Sequence, residues 1–137
     1  MASEGLHESE QKLKPATIDH HRAITSLMEE LEAVDWYDQR VDAATDDELR
    51  QILAHNRDEE KEHASMVLEW LRRRDPKLDE HLRTYLFTDK NLLAVEKVQE
   101  AAAAGEAASA AVSPSPSGGS LSIGDLRGKP GAGEIPL

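Results

Sequence analysis

The sequence predicts an all-α protein built around one antiparallel two-helix hairpin. Apolar residues recur at helical spacing through two stretches, about 15–40 and 46–74, each far longer than an ordinary strand. The gap between the stretches is short, so the two helices are expected to fold back on one another. Aromatics make up only 4% of the 137 residues. A two-helix body of that composition buries too little surface to be comfortable alone, and small domains of this kind lean on oligomers or metals.

Residues 1–14 are polar and read as a flexible N-terminus. The helical hairpin domain is expected over 15–90. Pro15 suits a helix start, and Ile18, Ile24, Leu27, Met28, Leu31 and Val34 follow at helical spacing. This first helix should end around Trp36 to Arg40. Thr45-Asp46-Asp47-Glu48 has the capping-box pattern, with Glu three residues after Thr, and opens a second helix. That helix should reach Arg74, because the residue before a proline is pushed away from helical angles and Asp75-Pro76 comes next. Leu78, Leu82, Leu86 and Phe87 then predict a shorter amphipathic helix.

Residues 91–111 are alanine-rich and weakly helical, with little to bury. Residues 112–120 hold VSPSPSGGS, the composition of a flexible linker. An apolar island, LSIGDLRG at 121–128, follows, with Leu121, Ile123 and Leu126 stranded in a polar tail. Residues 129–137 read as disordered.

The formal charge of −11 makes nucleic acid and anionic membrane surfaces poor partners and draws cations in. Cysteine is absent, which removes disulfides, thiolate zinc sites and iron–sulfur clusters together. There is no apolar leader segment and no run of membrane-spanning length, so a cytoplasmic location is the expectation.

Glu60-Lys61-Glu62-His63 carries the chemistry. Counting about 100° per residue from Leu49, Glu60 lies at about +20° and His63 at about −40°, in the same stripe as Leu53, Val67 and Leu71. An ionised carboxylate predicted to be buried needs a partner. The facing helix offers Glu30, at about −60° from Leu27 and bordering its stripe, rather than a Lys or Arg. Two acids and an imidazole converging without a cation ask for a metal. Di-iron carboxylate bundles use one Glu from each of two helices and Glu-x-x-His from each of the other two, and this chain carries half of that set. A hydrogen-bonded polar pair without metal is the plainer reading of Glu60 and His63. His55, Glu59 and Glu62 line a strip off the core face, read either as a solvated charged face or as a weaker cation site. Glu29 and Glu32 point away from the first helix's stripe and would attract Fe²⁺ or Ca²⁺ if ringed by neighbouring subunits. Trp36 and Tyr37 adjoin the Glu cluster, with packing the plainer role. His7, His20, His21 and His81 have no partner pattern at ligand spacing.

The runs HRAITSLMEELEAVDWYDQRVDA (21–43) and ILAHNRDEEKEHASMVLEWLRRRDPKLDEHLRTYLFT (52–88) closely resemble the encapsulated ferritins. The resemblance implies that two chains pair into a ferritin-like four-helix bundle and that the dimers close into a decameric ring. It further implies a ferroxidase centre at the dimer interface, where Glu30, Glu60 and His63 of each chain bind two irons. Glu29 and Glu32 would mark where metal enters. His55, Glu59 and Glu62 would form an outer site, open to Ca²⁺ or other divalent cations, with Trp36 and Tyr37 near the centre. LSIGDLRG looks like the peptide that targets such cargo to an encapsulin shell, where the ferric product is mineralised and stored. The closing GKPGAGEIPL, which runs nine residues past Gly128, departs from the family habit of ending near that peptide.

The expectation is therefore an iron-oxidising enzyme, active as a dimer and housed inside a cytoplasmic encapsulin nanocompartment. A metal-independent helical adaptor of the shell is the alternative, and a zinc- or manganese-bound structural dimer is a third.

Overall fold

A computed structural model describes residues 5–111, and all the regular structure among them is helical. The chain divides into two units, Met1–Val95 and Glu96–Leu137. The first holds the hairpin. A single 3₁₀ turn, Glu10–Lys12, interrupts the N-terminal segment expected to be loose. Helix α1 spans Pro15–Ala43, with Pro15 in its first turn, where a missing N–H costs nothing. It outruns the end expected near Arg40 by three residues. No Gly or Pro stops it there, and the Ala44 N–H closes the last turn on the Arg40 carbonyl at 2.9 Å.

Helix α2 spans Asp47–Arg74 and packs antiparallel along α1. Its cap is Asp46, not the Thr45 that the capping-box pattern suggests. The Asp46 carboxylate accepts from the Leu49 N–H at 2.8 Å, and a carboxylate suits the positive end of the helix dipole. Arg50 secures the three-residue turn, donating from Nη2 to the Ala44 carbonyl at 2.6 Å. Asp75 then starts helix α3, Pro76–Tyr85, accepting from the Lys77 and Leu78 N–H groups at 3.1 and 3.0 Å. Arg72 pins α3 to α2: it pairs with Glu69 on its own helix and with Asp79 on α3. Leu86 and Phe87 lie beyond α3 rather than in it. Phe87 takes a left-handed φ of 57°, uncommon for a bulky side chain, and its ring stands fully in solvent.

Within the described residues only Ala64 and Leu71 are buried core. Ile24, Leu31, Trp36, Leu49, Ile52 and Met66 all remain substantially exposed on the hairpin. So little burial falls short of what a helical pair needs to be stable alone, as the composition predicts.

Helix α4, Leu92–Ala111, crosses into the second unit. The segment expected to be weakly helical is one continuous helix of 20 residues. Alanine loses the least on entering a helix, and the Asn91 side chain accepts from the Ala94 N–H at 3.1 Å. The linker, the island with Leu121, Ile123 and Leu126, and the final segment lie outside the described residues. No helix among the described residues is long and apolar enough to cross a membrane.

Candidate metal centre

The helical stripes place Glu30 near the middle of α1 and Glu60 and His63 near the middle of α2. The antiparallel fold then brings them to one level. His63 Nδ1 lies 3.1 Å from a Glu60 carboxylate oxygen and 3.8 Å from one of Glu30. One ligand atom from each of the three falls within 4.8 Å of the others. Among the described residues this is the one such group of three.

The three do not sit at the centre of the hairpin contact. Ala64 and Leu71 are the buried positions, at about +60° and +40° on the Leu49 scale, so the seam runs to one side of the expected stripe. Glu60 borders it, and His63 lies on the flank. Side-chain exposures of 23% for Glu30, 24% for Glu60 and 48% for His63 follow from that rotation. The cluster opens on the hairpin's edge, where a second molecule or an ion can reach it.

The electrostatics follow from contact between like charges. Hydrogen bonding with Glu60 raises the Glu30 carboxyl above the usual carboxylate range, with burial and the Glu60 charge adding to it. Glu60 is lowered by hydrogen bonds from Glu30 and His63, so of the two carboxyls Glu60 is the readier to ionise. His63 is raised chiefly by its hydrogen bond to Glu60, with the charges of Glu30, Glu60 and Glu59 helping.

The other predicted residues are placed less tightly. Glu29 and Glu32 are exposed on α1, and the Glu29 charge contributes to raising Glu30. His55 Nε2 meets Glu59 Oε1 at 3.1 Å, with both side chains more than half exposed. Glu62 is not brought into that pair and lines a shallow groove with Met66, Trp70 and Arg73. Trp36 and Tyr37 are linked by Arg40, whose guanidinium lies 6.0 and 5.3 Å from their ring centres. Helical spacing did not single out Arg40, nor Arg57, which reaches across to Asp38 on α1 at 3.0 Å. Arg57 was detectable as a cation bordering the α2 stripe; nothing in the sequence named its partner.

The sequence profile of the EncFtn-like family matches residues 5–89. The chain belongs to that family. This EncFtn-like chain is 58% identical over 130 residues to the encapsulated ferritin-like protein of Rhodospirillum rubrum, covering 93% of itself and 91% of the relative. It is 56% identical over 91 residues to a ferritin-like protein of Thermotoga maritima, covering 66% of itself and 80% of that protein. A crystal structure of a Nitrosomonas europaea protein superposes with a TM-score of 0.63 at 62% identity. That likeness covers 64% of this chain and 97% of the other, so the helical body of the two is shared.

Proposed function

We propose that this protein is a ferroxidase whose active centre forms when two hairpins pair face to face. The convergence of Glu30, Glu60 and His63 at the open edge of the hairpin carries the reading. Three ligands are too few for two irons. A two-fold axis through that edge doubles them to four carboxylates and two imidazoles, the donor set of a di-iron carboxylate bundle.

The donor chemistry fits iron as substrate. Imidazole suits Fe²⁺, and hard carboxylate oxygens favour the more highly charged Fe³⁺. Glu30, which faces Glu60 across the two helices, would bridge two ions. Glu60 and His63 each complete the coordination of one. The bound iron supplies electrons, one from each Fe²⁺ to oxygen. The residues supply the anionic pocket, and any proton on Glu30 or His63, both raised, would be released as the cations enter. Exposed Glu29 and Glu32 extend the negative field outward, and His55 with Glu59 forms an outer cation site to which Glu62 is recruited on assembly.

Delivery into an encapsulin shell is the second half of the proposal. It rests on the R. rubrum relative, which is described as encapsulated, and on the apolar island LSIGDLRG. Leu121, Ile123 and Leu126 on a tether suit a docking groove, and several tails per assembly add avidity.

Aerobic addition of Fe²⁺, followed by ferric absorbance, tests the chemistry. Wild type should turn over, and Glu30→Ala should not. Full activity in a demonstrably monomeric preparation contradicts the two-chain centre. Co-expression of a shell with a chain ending at Ser120 tests delivery: the truncated protein should stay active and unencapsulated.

A further inference from the structure

The three-residue turn fixes α1 and α2 at one end only. Glu30 lies fourteen residues before Ala44, about 21 Å along the helix from that turn. The two buried core residues among those described, Ala64 and Leu71, lie on the far side of the cluster. Between turn and cluster, the hairpin is held by half-buried residues such as Val34, Val41, Leu53 and Ala54. Apolar contact is non-directional and tolerates small rotations and slips.

A directional link does exist in that interval. Arg57 Nε meets Asp58 on its own helix at 3.0 Å, and Asp58 is also held by Lys61 Nζ at 3.1 Å. Thus braced, the guanidinium extends Nη1 to Asp38 of α1, also at 3.0 Å. Arg57 is three residues before Glu60, so any roll of α2 that moves one moves the other. Its side chain is 24% exposed, sheltered enough for the planar fork to hold a defined direction. An ion pair as exposed as Asp38 contributes little energy. It contributes an angle.

Resting on the metal-centre reading above, we infer that Arg57 and Asp38 are positioning residues. Their ion pair sets the roll and register of α2 against α1 so that Glu60 and His63 meet Glu30. They touch no ligand in the cluster and act through the helices, so the signature is geometric. Chemistry on iron should suffer more than uptake of iron, because a misplaced ligand penalises the reacting arrangement most.

The test uses the full chain, with Co²⁺ as a spectroscopic probe of the centre and Fe²⁺ oxidation as the second readout. Arg57→Met and Asp38→Asn should each weaken Co²⁺ binding about tenfold and alter its visible absorption. Each should lower kcat for Fe²⁺ more than it raises KM. Helix content should match wild type, and so should subunit assembly at saturating metal. The double variant should be no worse than either single one, the mark of a shared interaction, and Arg57→Lys should recover part of the loss. Wild-type Co²⁺ spectra and affinity in both single variants overturn the inference, even if their melting temperatures fall, because the pair is then only structural. Additive losses in the double variant overturn it as well. If wild type itself takes up no Co²⁺, the metal-centre reading fails and this assignment with it, a result distinct from equal uptake by wild type and variants.

Discussion

Two carboxyl groups in contact resist ionising together, and the contact raises Glu30 while it lowers Glu60. A cation entering the cluster must displace any proton held there, whether on Glu30 or on His63. Because His63 is raised above its ordinary value of 6.5, protonation competes with metal already above that pH. Metal affinity should therefore fall as pH is lowered through the His63 pKa, and binding should release protons. Co²⁺ titrations from about pH 8 down to 6 check this, and a flat profile would contradict it. Removing a ligand outright goes further than any pH change. Even outer partners of metal ligands are worth about 10–100-fold, so Glu60→Ala and His63→Ala should cost at least about 100-fold in Fe²⁺ oxidation rate. Helix content should stay at the wild-type level, because neither side chain belongs to the buried seam.

Helix ends, rather than a large core, hold the elements in this chain. Asp46 starts α2 and Asp75 starts α3, each through carboxylate bonds to backbone N–H groups. Asp46→Ala should cost about 1 kcal/mol and Asp75→Ala a similar amount, read from chemical denaturation of the assembled protein. The end of α2 carries an acid-sensitive staple. Arg72 and Arg73 hold the Glu69 carboxyl at about 2, against an ordinary 4.5. A depressed carboxylate stabilises the fold fully above the unfolded value, and that contribution is lost as pH falls through the folded one. The part of acid unfolding due to Glu69 should thus develop between about pH 4.5 and 2. Glu69→Gln should flatten the pH dependence of melting temperature in that interval; an unchanged slope would remove Glu69 from the account. Salt should weaken this staple too, most at its exposed Arg73–Glu69 pair.

At the scale of the molecule, a hairpin with two buried side chains and exposed Leu, Ile, Met and Trp suits the proposed pairing of two chains. The proposed pairing across the cluster's open edge would bring four carboxylates and two imidazoles together, and carboxylate repulsion would oppose association. A cation bound by the pair and not by the single chain reverses that balance by mass action. Assembly should therefore depend on metal. Sizing at low protein concentration should show larger species with Fe²⁺ and smaller ones after chelation, and Glu30→Ala should lose the response. An unchanged distribution would separate assembly from the centre.

The sequence by itself determined the fold class, the start of α1 and the end of α2. These follow from local rules: apolar spacing and the prolines at 15 and 76. It also named Glu30, Glu60 and His63, because acids and an imidazole in an apolar stripe violate the pattern around them. It misjudged where chain-local preferences compete. Thr45 and Asp46 both make acceptable caps, and α1 and α4 run on because no residue stops them. Only the tertiary structure decided how the helices are rolled. A helical wheel gives angles within one helix but not the direction of its neighbour, so the seam fell on Ala64 and Leu71 and left His63 on the flank. The same limit hid the Arg57–Asp38 pair, whose partners lie nineteen positions apart and meet because the chain turns back between them.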